Sequence, residues 1–164
     1  MMRALRFLPF LLLLVFAAPA AAEPARVEIV EHGIYAAGPM KHVPAPDQIG
    51  GQRWQAETRL LERTDTVAGQ LGRIFGVRVR INDPALRGKP ITMRIRHPRI
   101  TAPTGRSGTE TFLNTSTGPG GNEISYFFAF EYTYEIAEGD WTFEVVHDGQ
   151  VLASKTFRVL VNMY

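Results

Sequence analysis

Phe75-Gly76-Val77-Arg78-Val79-Arg80-Ile81-Asn82 decides the fold. Its apolar residues occupy every second position, with glycine, arginine and asparagine between them, so an extended chain has one apolar and one polar face. Ile91, Met93 and Ile95 alternate with Thr92, Arg94 and Arg96 in the same way. The chain is therefore built from strands that each bury one side.

Reading outward, Val27 to Tyr35 is β-rich but less regular, with Gly33 placed for a bulge. The longest run, Ile124 to Ile136, sets Tyr126, Phe128, Phe130, Tyr132 and Tyr134 on one face and Glu131 and Glu135 on the other. Its aromatic and β-branched content predicts a central strand. Near the C-terminus, Trp141, Phe143 and Val145 share a face, as do Val151, Ala153, Phe157 and Val159. A regular two-residue Asp148-Gly149 turn would set Val145 opposite Leu152 and put those two sets on opposite faces. A three-residue loop, His147-Asp148-Gly149 with Gly149 left-handed, sets Val145 opposite Val151, and this is the turn expected. Arg53 to Thr64 reads as a strand or a short helix; strand is preferred because every other element is β. Gly38 to Gly51 and Pro98 to Gly121 read as irregular loops, the second with a short strand at Thr109 to Leu113. Seven or eight short strands in about 140 residues predict an all-β, antiparallel β-sandwich.

The first 22 residues have a different character. Arg3 and Arg6 precede the apolar run Phe7 to Phe16, and Ala20-Ala21-Ala22 closes it. That is the pattern of a secretory signal peptide, too short to span a bilayer. Residues 23–164 are expected to form one domain, periplasmic or secreted, with no membrane span after cleavage. The full chain has 18 Lys and Arg against 16 Asp and Glu, and the leader holds two of the arginines and no acid, so the remainder is balanced. A nucleic-acid partner, which needs sustained positive charge, is not expected. The chain has no cysteine, which excludes disulfides, thiol catalysis and cysteine zinc sites.

The segment Ile136-Ala137-Glu138-Gly139-Asp140-Trp141-Thr142-Phe143-Glu144-Val145, followed by Asp148-Gly149 and Phe157-Arg158-Val159, resembles the last hairpin of bacterial immunoglobulin-like domains. Trp141 stands where those domains often carry a corner tyrosine, and its indole N–H could serve the same hydrogen bond. The whole of residues 23–164 resembles an exported bacterial family, domain of unknown function 3859. The resemblance rests on Val27-Glu28-Ile29-Val30-Glu31-His32-Gly33-Ile34-Tyr35, Phe75-Gly76-Val77 and Gly139-Asp140-Trp141-Thr142-Phe143-Glu144. It implies an immunoglobulin-like β-sandwich and supplies no activity or site.

Residue chemistry narrows the function by elimination. His32, His42, His97 and His147 lie far apart, with no second histidine at ligand spacing, so no metal or cofactor is expected. Glu131 and Glu135, four residues apart on one strand face, would sit roughly 13 Å apart, too far for a glycosidase pair. Gly105-Arg106-Ser107-Gly108 and Thr117-Gly118-Pro119-Gly120-Gly121 complete neither G-x-S-x-G nor a P-loop and read as turns. Asn114-Thr115-Ser116 matches a glycosylation sequon by composition alone.

The remaining constellation is basic. Nine basic residues from Arg73 to Arg106 meet one acid, Asp83, whereas acids dominate from Glu110 onward. The two blocks are expected to pair across the folded sheets. If the strands carrying Arg78, Arg80, Arg94 and Arg96 were neighbours, these four would make a candidate binding surface for an anionic envelope component. In different sheets they would not. The expected function is a non-enzymatic binding or interaction domain of the bacterial envelope, with an envelope protein or polysaccharide as partner. The alternatives are a small hydrolase using an acid pair around Glu131, Glu135 or Glu144, and a structural subunit joined through an exposed strand edge.

Overall fold

A computed structural model describes residues 25–44, 52–118 and 120–161, without side chains for 39–44 and 52–56. The expected leader, the centre of the 38–51 loop and His42's side chain lie outside the described residues. Among the described residues nine strands follow one another: β1 (Val27–Pro44), β2 (Gln52–Glu62), β3 (Thr66–Ala68), β4 (Ile74–Ile81), β5 (Ile91–Thr101), β6 (Ser107–Thr115), β7 (Glu123–Ala129), β8 (Gly139–His147) and β9 (Gln150–Leu160). They form a four-stranded sheet, β2-β1-β4-β7, and a five-stranded sheet, β3-β9-β8-β5-β6. All pairings are antiparallel except β3 with β9. This is the expected β-sandwich. No helix among the described residues is long and apolar enough to cross a membrane.

The alternating faces meet between the sheets. Phe75, Val77, Val79 and Ile81 of β4 are buried, as are Ile91, Met93 and Ile95 of β5. The ring of Phe75 is central: Phe128, Phe130, Trp141, Phe143 and Phe157 surround it at centroid distances of 5.4–6.1 Å. Such tilted and edge-on contacts suit the aromatic quadrupole and add to the burial of large apolar surface. Trp141 also closes the corner expected of it, its Nε1–H donating to the Ala137 carbonyl at 2.9 Å.

Four expectations are corrected. The 124–136 run is neither central nor continuous: β7 lies at a sheet edge and stops at Ala129, and a 3-10 turn covers Thr133–Glu135. The Glu135 carboxylate accepts from the backbone N–H of Glu131 and Tyr132 at 2.8 and 3.0 Å, which closes that turn. The aromatic content reflects packing on both faces, since Phe127 packs against Tyr35 with the rings tilted and 4.4 Å apart, on the face opposite the core. The last hairpin has the two-residue turn, with Asp148 at φ 47° and Gly149 at φ 77°. A bulge between Val145 and Val146 then sets Val145 opposite Ala153, so the bulge, not a longer loop, restores the hydrophobic phase.

The other two corrections concern loops. Residues 38–44 continue β1, and Met40 to Pro44 pair with β2 after a register irregularity at Ala37/Met40. β5 runs through His97 and Pro98 to Thr101, with a register irregularity between Arg96 and Ile100 that accommodates the proline. Together with β6 it turns most of the 98–121 stretch into a hairpin.

Candidate functional site

The four arginines are divided between the sheets. Arg78 and Arg80 lie on β4 and Arg94 and Arg96 on β5, so no common face brings them together. Each has a local partner. Arg78 lies 3.5 Å from Glu31 and Arg80 lies 2.9 Å from Glu123. Arg94 and Arg96 both engage Glu144, Arg94 at 2.7 Å. The Glu144 side chain is only 2% exposed although it sits on the face of β8 turned away from the core, because the two guanidinium groups cover it. Pairing between the basic and acidic blocks thus holds for Arg80, Arg94 and Arg96, whereas Arg78 finds an acid on β1.

Two of the three acids of the hydrolase alternative, Glu135 and Glu144, are likewise engaged. Glu135 holds its own turn and Glu144 lies beneath its arginines. Among the described residues no cluster of His, Cys, Asp or Glu has the grouping to hold a metal. His147 makes a 2.8 Å contact from Nδ1 to the Pro90 carbonyl. His32 joins Asp65 at 3.0 Å, and Lys155 reaches the same oxygen at 2.6 Å. Burial and the nearby Lys155 charge hold the His32 pKa below its ordinary value. Hydrogen bonding from Lys155 holds the Asp65 carboxyl low.

A cleft of about 700 Å³ opens at one end of the sandwich, where the β5–β6 turn and the start of β6 face the turn after β7. Its walls include Pro103, Thr104, Arg106, Ser107 and Thr111 on one side and Phe128, Tyr132, Tyr134 and Glu135 on the other. Tyr132 and Tyr134 stack, their rings 5.2 Å apart and inclined by 10°. They reach this position because the chain leaves β7 at Phe130, which stays in the core, and the Glu135 carboxylate curls the next residues outward. The sequence reading placed both tyrosines on a strand and missed the cleft. The signal available was a glutamate three residues after Tyr132, a spacing that closes a turn on its own backbone.

His97 also lines this cleft. Its ring lies over Trp141 at 5.0 Å, inclined by 30°, and its Nδ1 is 2.7 Å from the Pro98 carbonyl. A carbonyl can only accept, so Nδ1 donates. The other ring nitrogen, Nε2, is buried and has no hydrogen-bond partner among the described residues. An unsatisfied buried nitrogen is unfavourable by about 1 to 3 kcal/mol and calls for an explanation.

The fold resembles the crystal structure of an immunoglobulin-like protein from Pseudomonas aeruginosa, with a TM-score of 0.60 and 21% identity over 85% of this chain and 100% of that one. At that identity the likeness bears on the fold. No curated protein matches the sequence. The family described as domain of unknown function (DUF3859) matches residues 23–159, and the chain belongs to that family.

Proposed function

We propose that this protein is an exported, non-enzymatic binding domain of the bacterial envelope that holds a saccharide in the cleft beside Tyr132 and Tyr134. The observation that carries the reading is the stacked pair of Tyr132 and Tyr134 on the wall of a cleft of about 700 Å³. The apolar face of a sugar ring suits such an aromatic wall. Thr104, Ser107 and Thr111 offer hydroxyl partners. The engagement of Glu135 and Glu144 in structural contacts supports binding over hydrolysis. Export is supported by the leader pattern of Arg3, Arg6, Phe7 to Phe16 and Ala20 to Ala22.

The test is calorimetric titration of the purified protein with soluble peptidoglycan fragments and envelope oligosaccharides, beside the variants Tyr132→Ala and Tyr134→Ala. Saturable binding that each variant weakens at least about tenfold is expected. Binding unaltered by both variants, or none to any saccharide, would overturn the reading.

A further inference from the structure

The five-stranded sheet has one strand more than its partner sheet, and β6 is one of its two edges. Leu113 lies opposite Met93, so it shares the core-side face, yet it is 48% exposed while Met93 is fully buried. Phe112 lies opposite Arg94 on the outer face and is 66% exposed. Every residue from Ser107 to Asn114 is exposed, and among the described residues β6 pairs with β5 alone.

Sheet edges are normally guarded, because their free N–H and C=O groups recruit other strands. The other edges of this sandwich show such guards. β3 is three residues long and its Val67 is buried. β2 carries Glu57, Arg59 and Glu62. The Tyr126 hydroxyl of β7 is hydrogen-bonded to Thr111 of β6. β6 has no proline and no lysine, its one charge is Glu110, and it presents two large apolar side chains.

We propose that β6 is a self-association edge, at which two copies of the chain join antiparallel about a two-fold axis at Phe112 to make one continuous ten-stranded sheet. The sequence of β6 selects the occupant. With the two copies of Phe112 opposite each other, Leu113 faces Thr111 and Glu110 faces Asn114, so no like charges meet. Glu110 then stands between Arg96 of its own copy, already opposite it across β5, and an amide that can donate to it. Centring the axis on Glu110 instead would oppose two carboxylates. A shift by a single residue would exchange the faces. The pairing buries Phe112 of both copies and satisfies the open edge of each, as a two-fold interface requires. This inference does not depend on the cleft or on what fills it.

The absence of cysteine makes the register directly testable. Opposed residues of an antiparallel pair have Cα atoms about 4.5 to 5.5 Å apart, within disulfide reach. Under mild oxidation Phe112→Cys is expected to give a covalent dimer, whereas Leu61→Cys, at a position 52% exposed on β2, stays monomeric at the same concentration. In sedimentation equilibrium the wild type is expected to associate to two chains. Phe112→Lys should do so at least about tenfold more weakly, with an unchanged circular dichroism spectrum because the side chain is exposed in the single chain. A wild type that remains one chain up to about 1 mM would overturn the proposal. So would association that Phe112→Lys leaves intact, or a monomer that instead binds another protein's strand along β6.

Discussion

Trp141 donates its indole N–H to the carbonyl of Ala137, four residues upstream, while its ring packs against Phe75, Phe128 and Phe130. One side chain therefore fills the core and anchors the chain's entry into β8. Trp141→Phe orphans the carbonyl and is expected to destabilise by about 1 to 3 kcal/mol from that loss alone. Phe143→Ala, which empties a buried site, should cost about 3 to 5 kcal/mol. Urea unfolding measures both, and a loss below about 1 kcal/mol for Phe143→Ala would contradict its placement at the centre of the core.

The β8–β9 turn separates backbone strain from steric contact. No atom lies within 4 Å of a Cβ built on Gly149, but its φ is +77°, so Gly149→Val should cost about 1 to 2 kcal/mol through backbone conformation alone. Asp148→Asn should be neutral or slightly stabilising, since asparagine accepts the left-handed conformation readily. Gly33→Ala should be worse than either. Its Cβ would fall 1.9 Å from the Glu62 carbonyl oxygen as well as requiring φ +143°. Thermal melts of the three variants, ranked in that order, check the argument.

Glu144→Ala leaves Arg94 and Arg96 facing each other without their shared anion. A loss of about 2 to 4 kcal/mol is expected, toward the low side for a buried pair because the Arg96 side chain is 60% exposed. Arg78→Gln, whose partner Glu31 is 3.5 Å away, should cost about 0 to 1 kcal/mol. With the arginines engaged on two sheets, neither the wild type nor the Arg78→Gln, Arg94→Gln double variant should be retained on an anionic matrix at physiological salt. Retention of the wild type alone would restore the arginines as a ligand surface.

The His32–Asp65–Lys155 contact makes stability depend on pH. The folded pKa of His32 is lowered, so the unfolded chain binds this proton more readily than the folded one. The contribution of neutral His32 is complete above its ordinary pKa of 6.5 and diminishes as pH falls from there toward the folded value. Asp65, also lowered, contributes above 3.8 and loses that contribution as pH falls through its folded pKa. The melting temperature of the wild type should therefore fall between about pH 7 and 5 more steeply than that of His32→Gln. Parallel curves for the two proteins would exclude His32 as the source.

The sequence shows those parts of the fold that depend on local periodicity. Val77, Val79, Met93 and Ile95 are legible as core because alternation by two leaves one solution for each strand. The assignment of Arg78 and Arg94 to different sheets is set by long-range pairing, and neither strand carries a local sign of it. The β8–β9 hairpin shows an intermediate case: the phase of Phe143 and Phe157 demanded one irregular residue, but a longer loop and a bulge near Leu152 satisfy that demand equally. Tyr132 and Tyr134 misled because the alternation of Tyr126, Phe128 and Phe130 continues into them unbroken, with no glycine or proline where the strand ends. The cleft, assembled from two stretches, 97–111 and 128–135, has no single run of sequence to announce it.

The two-residue turn at Asp148-Gly149 also bears on how the molecule assembles in time. It brings Trp141 and Val145 against Phe157 and Ala153 at small loop-closure entropy, so much of the aromatic core comes from a hairpin that forms without the rest of the chain. By contrast, pairing β1 with β4 joins Val27 to Ile81 and must close the whole intervening chain before its contacts stabilise anything. The transition state for folding should accordingly be polarised, with high φ-values at Phe143 and Val145 and values near zero at Val27. Destabilising substitutions in β1 would then act on the unfolding rate and leave the folding rate nearly unchanged.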